Sequence, residues 1–345
     1  MWWISVRDVQ WRRRRFAIAV VGAAMVFALA LLIAGLSAGF RLEARTTVAA
    51  IGGDGWVMDA GADGLITSVA TLPGAAVDDV GAIDGVRRAA AVVVVRSTVG
   101  GKPVLLVGHE PGRAGAPSVR TGRAPVASHE VAVDGRLGAE VGDRVVVGGT
   151  TLEIVGETSG VTVQAGIPAV FLTLDVAQQV AFGGRDLVSA VVVDGRPERL
   201  PEGTHLVTPA AARADALSPL RDAIEAIDIL SVLLWVVAAV IIGSIIYLSA
   251  LERAREFAVL KAVGASSRAL VTGLMIQSSV LSVVASLLAA GLVQVLVPVF
   301  PIPVSITARS MLLLPAIAVV VGLAASLAGV RRAVTADPAM AFAAA

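Results

Sequence analysis

The sequence contains no cysteine, three histidines, one tyrosine and 16% charged residues. Without cysteine there can be no disulfide, no thiolate zinc site and no cysteine nucleophile, so any domain outside the cytosol must hold together by packing. His109, His129 and His205 are far apart and fall in no ligand-like spacing, so solvated or internally satisfied imidazoles are the reading preferred over a metal site. No basic stripe with interleaved aromatics occurs, and the net charge of +1 carries no signal for nucleic acid. The P-loop pattern is missing too: Gly101-Lys102-Pro103 lacks both the earlier glycine and the following hydroxyl.

What the chain has is apolar residues, 56% of its 345. That proportion and a mean hydropathy of +0.83 exceed those of ordinary soluble proteins and imply a membrane protein. Four runs carry no Lys, Arg, Asp or Glu: Phe16–Phe40, Ile229–Ala250, Ala269–Val297 and Met311–Val330. At about 1.5 Å per residue the first reaches roughly 37 Å, longer than the roughly 30 Å hydrocarbon core. Arg12–Arg15 and Trp2, Trp3 and Trp11 precede it. A basic flank with interfacial tryptophans fits an uncleaved anchor. The run is too long for a secretory signal, although Arg13-Arg14-Arg15-Phe16 resembles a twin-arginine one. No charge inside the runs means no support for a proton relay or charged pore.

Two short patterns overlap at Gly35-Leu-Ser-Ala-Gly39. As G-x-S-x-G it would need a strand before it and a helix after it, which a position inside an apolar run does not supply. As G-x-x-x-G it would allow a second helix to come close, a weak pattern that chance also produces.

From Arg41 to Asp228 the character changes to β-rich pieces separated by turn signals. Strands are expected at Val86–Val99, with Ala91–Val95 buried, and at Lys102–His109, Glu130–Asp134, Pro168–Thr173 and Leu187–Asp194. Arg144–Val147 and Thr151–Gly156 are spaced as a hairpin. Helices are expected at Arg136–Glu140, at Leu174–Ala181 and, interrupted near Pro219, at Ala210–Asp228. Asp78, Asp79 and Asp84 could be taken for an acid–base or cation site, but no histidine or calcium-loop spacing accompanies them, and a solvated loop is preferred.

Between the second and third runs lies a charged segment, Leu251–Arg268. On a helix Glu252, Arg253, Arg255 and Glu256 share one side, with Leu251, Ala254, Phe257 and Ala258 opposite. Val259–Val263 is apolar apart from Lys261, and Gly264 supplies a stop. Periodicity leaves two readings open: a helix that docks in a partner's groove, or a charged loop between spans. Basic residues at 12–15, 253–268 and 331–332 share one side of a four-span arrangement, which predicts that both termini and this segment are cytoplasmic.

Glu256-Phe-Ala-Val-Leu-Lys-Ala-Val-Gly-Ala-Ser266 resembles the "REIGILRALGAS" signature of FtsX-like and MacB-like permeases of ABC transporters. Glu256, Leu260, Lys261, Gly264, Ala265 and Ser266 fall on the signature, and Phe257 and Val263 exchange one apolar residue for another. The tail Arg331–Phe342 is similar to the family's "DPAEAL" ending at Asp337, Pro338 and Ala339, and Glu130–Glu157 to the middle of the MacB-type periplasmic core. The resemblance implies an all-helical membrane part of four transmembrane helices, one plus three, with an inserted extracytoplasmic α+β domain of MacB periplasmic-core type. The divisions are a basic N-terminus (1–15), first span (16–40), outer domain (41–228), second span (229–250), coupling helix (251–268), third span (269–297), outer loop (298–310), fourth span (311–330) and tail (331–345). It assigns ATPase coupling to Glu252, Arg253, Glu256, Phe257, Leu260, Lys261 and Gly264. It implies no directly bound cofactor, ATP and Mg residing in a separate ABC ATPase subunit, and a paired or homodimeric permease in the bacterial inner membrane. An extracytoplasmic partner protein and no nucleic acid complete the expected associations. The function implied is export or extraction of a peptide, lipid, lipoprotein or antimicrobial; the alternative is an FtsX-type mechanotransmitter that regulates an extracytoplasmic hydrolase without transport.

Overall fold

A computed structural model describes residues 13–252, 267–300, 304–306, 311, 315–320 and 323–324. The chain divides into two compact units, residues 39–223 and the remainder. The divisions fall inside two long helices, α1 (Arg13–Ile51) and α5 (Arg221–Glu252).

The first unit is a sheet domain. Its strands in chain order are β1 (Gly55–Asp59), β2 (Leu72–Pro73), β3 (Val86–Val99), β4 (Lys102–His109), β5 (Thr121–Gly122), β6 (Glu130–Asp134) and β7 (Arg144–Val147). They continue with β8 (Thr150–Thr158), β9 (Thr162–Val163), β10 (Ile167–Thr173), β11 (Leu187–Val188), β12 (Ala190–Gly195) and β13 (Thr204–Val207). Eleven form one mixed sheet whose main path runs β13-β1-β12-β3-β4-β10-β6-β8-β5, while β2 and β11 pair separately. β10 lies parallel to β4 and antiparallel to β6.

Hairpins organise the sheet. Gly100 and Gly101 (φ 56° and 78°) join β3 to β4, and Gly148 and Gly149 (φ 55° and 85°) join β7 to β8. Two successive positive φ values define the tight turn whose twist matches antiparallel strands, and only glycine adopts them without strain. The sheet is covered on both faces, which explains its unbroken apolar runs. On one face Trp56, Met58, Val92, Val94, Leu105, Val107 and Phe171 pack with Ala44, Val48 and Ile51 of α1 and Ala212 and Ala216 of α4 (Pro209–Leu217). On the other, Val93, Leu106, Val133, Val170 and Leu172 pack with Val176, Ala177 and Phe182 of α3 (Leu174–Phe182). Val57, Ala91, Val191 and Val193 meet Val80 of α2 (Ala76–Gly81).

Several expectations are corrected here. The first helix does not stop with its apolar run at Phe40 but continues to Ile51, because Ala44, Val48 and Ile51 keep a helical face to bury. The helix expected at Arg136–Glu140 is a 3-10 turn over Gly135–Leu137: Asp134 accepts the Arg136 amide at its start, and Gly138 (φ 77°) ends it. The strand expected over Leu187–Asp194 is two strands, broken at Ser189, whose hydroxyl accepts from the Val94 amide at 3.0 Å. Asp78 and Asp79 lie not in a loop but in the first turn of α2, exposed, where carboxylates favour the helix N-terminus. The buried stretch of β3 is Ala90–Val94, one residue earlier than expected.

The second unit is helical. Three helices are long and apolar enough to cross a membrane, within Val20–Ile51, Pro209–Ser244 and Met275–Val299. The third begins within α6 (Ser267–Leu296) and ends in the 3-10 turn Val297–Val299. Of the expected fourth span, residues 311, 315–320 and 323–324 are described, and all are helical; the others lie outside the described residues. Ala24, Phe27, Ala28 and Leu31 of α1 pack with Ala238 and Ile242 of α5 and Ala285, Ala289 and Val293 of α6. Small residues at these contacts let backbones approach where lipid supplies no hydrophobic drive between helices. The Phe27 and Trp235 rings meet at 5.6 Å, tilted by 49°.

Candidate functional site

Of the residues assigned to coupling, Glu252 is the last of α5. Arg253, Glu256, Phe257, Leu260, Lys261 and Gly264 lie outside the described residues, as do Ala265 and Ser266, and α6 opens at Ser267. The tail residues Asp337, Pro338 and Ala339 lie outside them too.

The other sequence candidates are placed. Ser37 sits within helix α1, 1% exposed, with no strand before it, so it has neither the elbow nor the access of a nucleophile. The close approach that Gly35 permits is made by an irregular segment and not a second helix. A Cβ at Gly35 would stand 2.8 Å from Val304 Cγ1, and the Ser305 amide donates to the Gly35 carbonyl at 3.0 Å. His109, at the end of β4, is 0% exposed; its Nε2 has no hydrogen-bond partner among the described residues, and burial lowers its pKa. His129 is exposed and His205 half-buried. No group of three His, Cys, Asp or Glu residues able to hold a metal forms among the described residues.

Some charges on the sheet domain are held in ion pairs. Arg87 meets Asp54 at 3.0 Å, Arg120 meets Glu157 at 2.9 Å, and Arg113 meets Glu110 at 2.8 Å. A cavity of about 280 Å³ is lined by Arg88, Arg113, Asp194 and Val192. It is no anion site, because Arg88 is held by Asp194 at 2.6 Å and Arg113 by Glu110. Glu130, 5% exposed, accepts from both Arg123 nitrogens and from the Val126 and Ala127 amides. The Arg123 hydrogen bond, with those amides, pulls its pKa down to about 2. Asp215 of α4 accepts the Ile66 amide at 2.6 Å and the Thr67 hydroxyl, pinning the loop after β1. These are structural uses of charge, and none presents an acid beside a base for chemistry.

Among the buried polar groups that sequence reading did not single out is Glu43. On the extension of α1, it is 5% exposed and engages Thr162 and Ala165. The signal available was the i, i+4 pair Glu43 and Thr47 on the same helical side as Ala44 and Val48.

The FtsX-like permease C-terminal family matches residues 229–338, a range that encloses the charged segment, α6 and most of α5. An ABC transporter permease of Mycobacterium bovis is 43% identical over 348 residues, covering 99% of each chain. One of Mycobacterium tuberculosis is 39% identical over 346 residues, again with 99% of each covered. The chain belongs to the FtsX-like ABC transporter permeases. Two solved structures also match the permease. The extracellular domain of the noncanonic ABC-type transporter YknZ from Gram-positive bacteria is 16% identical with a TM-score of 0.32, covering 41% of the permease and 83% of that chain. The periplasmic region of MacB from Actinobacillus actinomycetemcomitans is 11% identical with a TM-score of 0.32, covering 52% and 87%. As an ABC permease the chain implies a partner subunit that carries the ATPase.

Proposed function

We propose that the permease couples ATP hydrolysis by its partner to a conformational change of the sheet domain, and so exports or extracts a substrate on the far side of the membrane. The observation that carries this reading is the segment Leu251–Ser266, charged and amphipathic, set between two long apolar helices inside the region matched to the family. Glu252, Arg253, Glu256, Phe257, Leu260, Lys261 and Gly264 form the ATPase contact. The segment lies on the cytoplasmic side, both termini with it, and the sheet domain projects outward. Two permease chains pair, since four spans make half of an eight-span assembly. ATP closes the two ATPase subunits, the docked segments move together, and the spans carry that shift outward. The nucleotide moves this equilibrium only through its different affinity for the two states, so contacts at Glu256 and Lys261 must differ between them. Mechanical work on an outer ligand suits spans that carry no charged pathway better than passage of a solute through a pore.

Purification of the full-length permease in mild detergent is expected to recover its ATPase. The Glu256→Ala/Lys261→Ala double variant is expected to insert normally yet lose ATPase stimulation. Wild-type stimulation in that variant overturns the coupling role. Activation of an extracytoplasmic hydrolase without movement of any substrate would replace the transport reading with the regulatory one.

A further inference from the structure

Glu43 and Thr47 face the sheet domain one helical turn apart on α1, and both hold the same short segment. The Thr162 hydroxyl donates to Glu43 Oε1 at 2.5 Å, and the Ala165 amide donates to Oε2 at 3.2 Å. The Thr47 hydroxyl, 0% exposed, donates to the Thr162 carbonyl at 2.8 Å. The held segment is the turn between β9 and β10, which closes on the pair Val163 and Ile167.

This turn is strained. Gln164 (φ 52°) and Ala165 (φ 73°) are the two non-glycine residues with positive φ among those described, they are consecutive, and Gly166 (φ 105°) follows. A side chain disfavours that region, so the conformation persists because its surroundings enforce it. The enforcing contacts are the carboxylate on one side and, on the other, Asp134, which accepts the Val161 amide at 2.9 Å. The turn is also incompletely satisfied, for Gln164 Nε2 is buried without a hydrogen-bond partner among the described residues. A segment that is strained, short of one hydrogen bond and held by a few side-chain hydrogen bonds has a second conformation within reach.

Among the described residues β9 pairs only with β10, and β10 runs through the middle of the sheet between β4 and β6. The held turn therefore leads into a central strand and not into an edge. We propose that Glu43, Thr47 and the 162–166 turn form a releasable latch between α1 and the sheet. Engaged, it fixes the β9–β10 turn to the helix; released, the turn leaves its positive-φ conformation while β10 stays paired between β4 and β6. The use of this latch in coupling rests on the reading given under Proposed function.

The test is hydrogen exchange on the full-length chain in detergent, comparing residues 162–167 with residues 169–172 of β10. In the wild type the turn is expected to open independently of β10 and to exchange faster. Glu43→Ala is expected to speed exchange in the turn by on the order of tenfold, with residues 169–172 unchanged, since a hydrogen bond to a charged group is lost. Thr162→Val is expected to act in the same direction more weakly, and it decides the question if Glu43→Ala does not fold. Equal acceleration of both segments, or of neither, overturns the latch. In the complex with the partner ATPase, trapping with a nonhydrolysable ATP analogue is expected to change exchange at 162–167. An unchanged turn in a complex whose ATPase is stimulated overturns the latch's role in coupling and leaves the proposed function standing. If no ATPase associates, the proposed function falls, while the comparison in detergent still decides the latch.

Discussion

On β10, Val170, Phe171 and Leu172 are each 0% exposed, whereas on α5 Ile229, Val232 and Val240 stand 69%, 64% and 62% exposed. Both stretches are apolar, yet only one is buried by its own chain. In the sheet domain, alternate residues serve opposite faces and each face has its own cover, so the domain completes its core without a second solvent. The long helices bury a narrow face of alanines and a few large side chains and leave the remainder for lipid. The sheet domain is thus held by packing that the cell's water drives, and the helices by packing that the bilayer permits.

Phe171→Ala should have the largest effect. Loss of a fully buried ring is expected to cost about 3–5 kcal/mol, seen as exchange or proteolysis throughout β4, β6 and β10, with α5 and α6 still inserted. The matching truncation Val240→Ala should change the stability of the sheet domain by less than about 0.5 kcal/mol. If Phe171→Ala also strips the chain from the membrane, the two regions fold as one and the comparison is broken. Gly108→Val comes next. A Cβ at Gly108 would lie 2.1 Å from the Ala177 Cβ, so α3 must lift from the sheet at a cost of about 1–3 kcal/mol, measured as exchange along residues 174–182.

Acid sharpens the comparison further, because the helices have no charge within their apolar runs to titrate. Glu130 has its pKa held at about 2, against an ordinary value of 4.5. A depressed carboxylate gives stability that is complete above the unfolded value and is lost as pH falls toward the folded one. Denaturation midpoints of the wild type should therefore drop between about pH 4.5 and pH 2, and those of Glu130→Gln should be lower at neutral pH and flatter across that window. The smallest effect belongs to His109. Its lowered pKa means that the unfolded chain takes up a proton before the folded one does, so stability declines as pH falls below 6.5. His109→Phe, which keeps an aromatic ring in the core, should remove that slope.

The apolar runs and the strands from Val86 to His109 were legible because each signal is local: length for a span, glycine turns and β-branched residues for strands. β1 and β13 were not. Gly55-Trp-Val-Met-Asp59 is five residues among glycines and aspartates, and it becomes a strand only by pairing with Ala190–Gly195 and Thr204–Val207, far along the chain. The extension of α1 was hidden by Arg41, Glu43 and Arg45, which end the hydropathy of a span without ending a helix. The family resemblance was carried by residues 256–266, where a few positions in fixed order say more than composition does.

β1, the first strand after α1, and β13, the last before α4, pair with each other in register from Trp56 with Val207 to Asp59 with Thr204. The sheet therefore begins and ends at adjacent backbones. A cut at these two points would strip the core of Ala44, Val48 and Ile51 of α1 and Ala212 and Ala216 of α4, so a clean excision takes the ends of both helices with the strands.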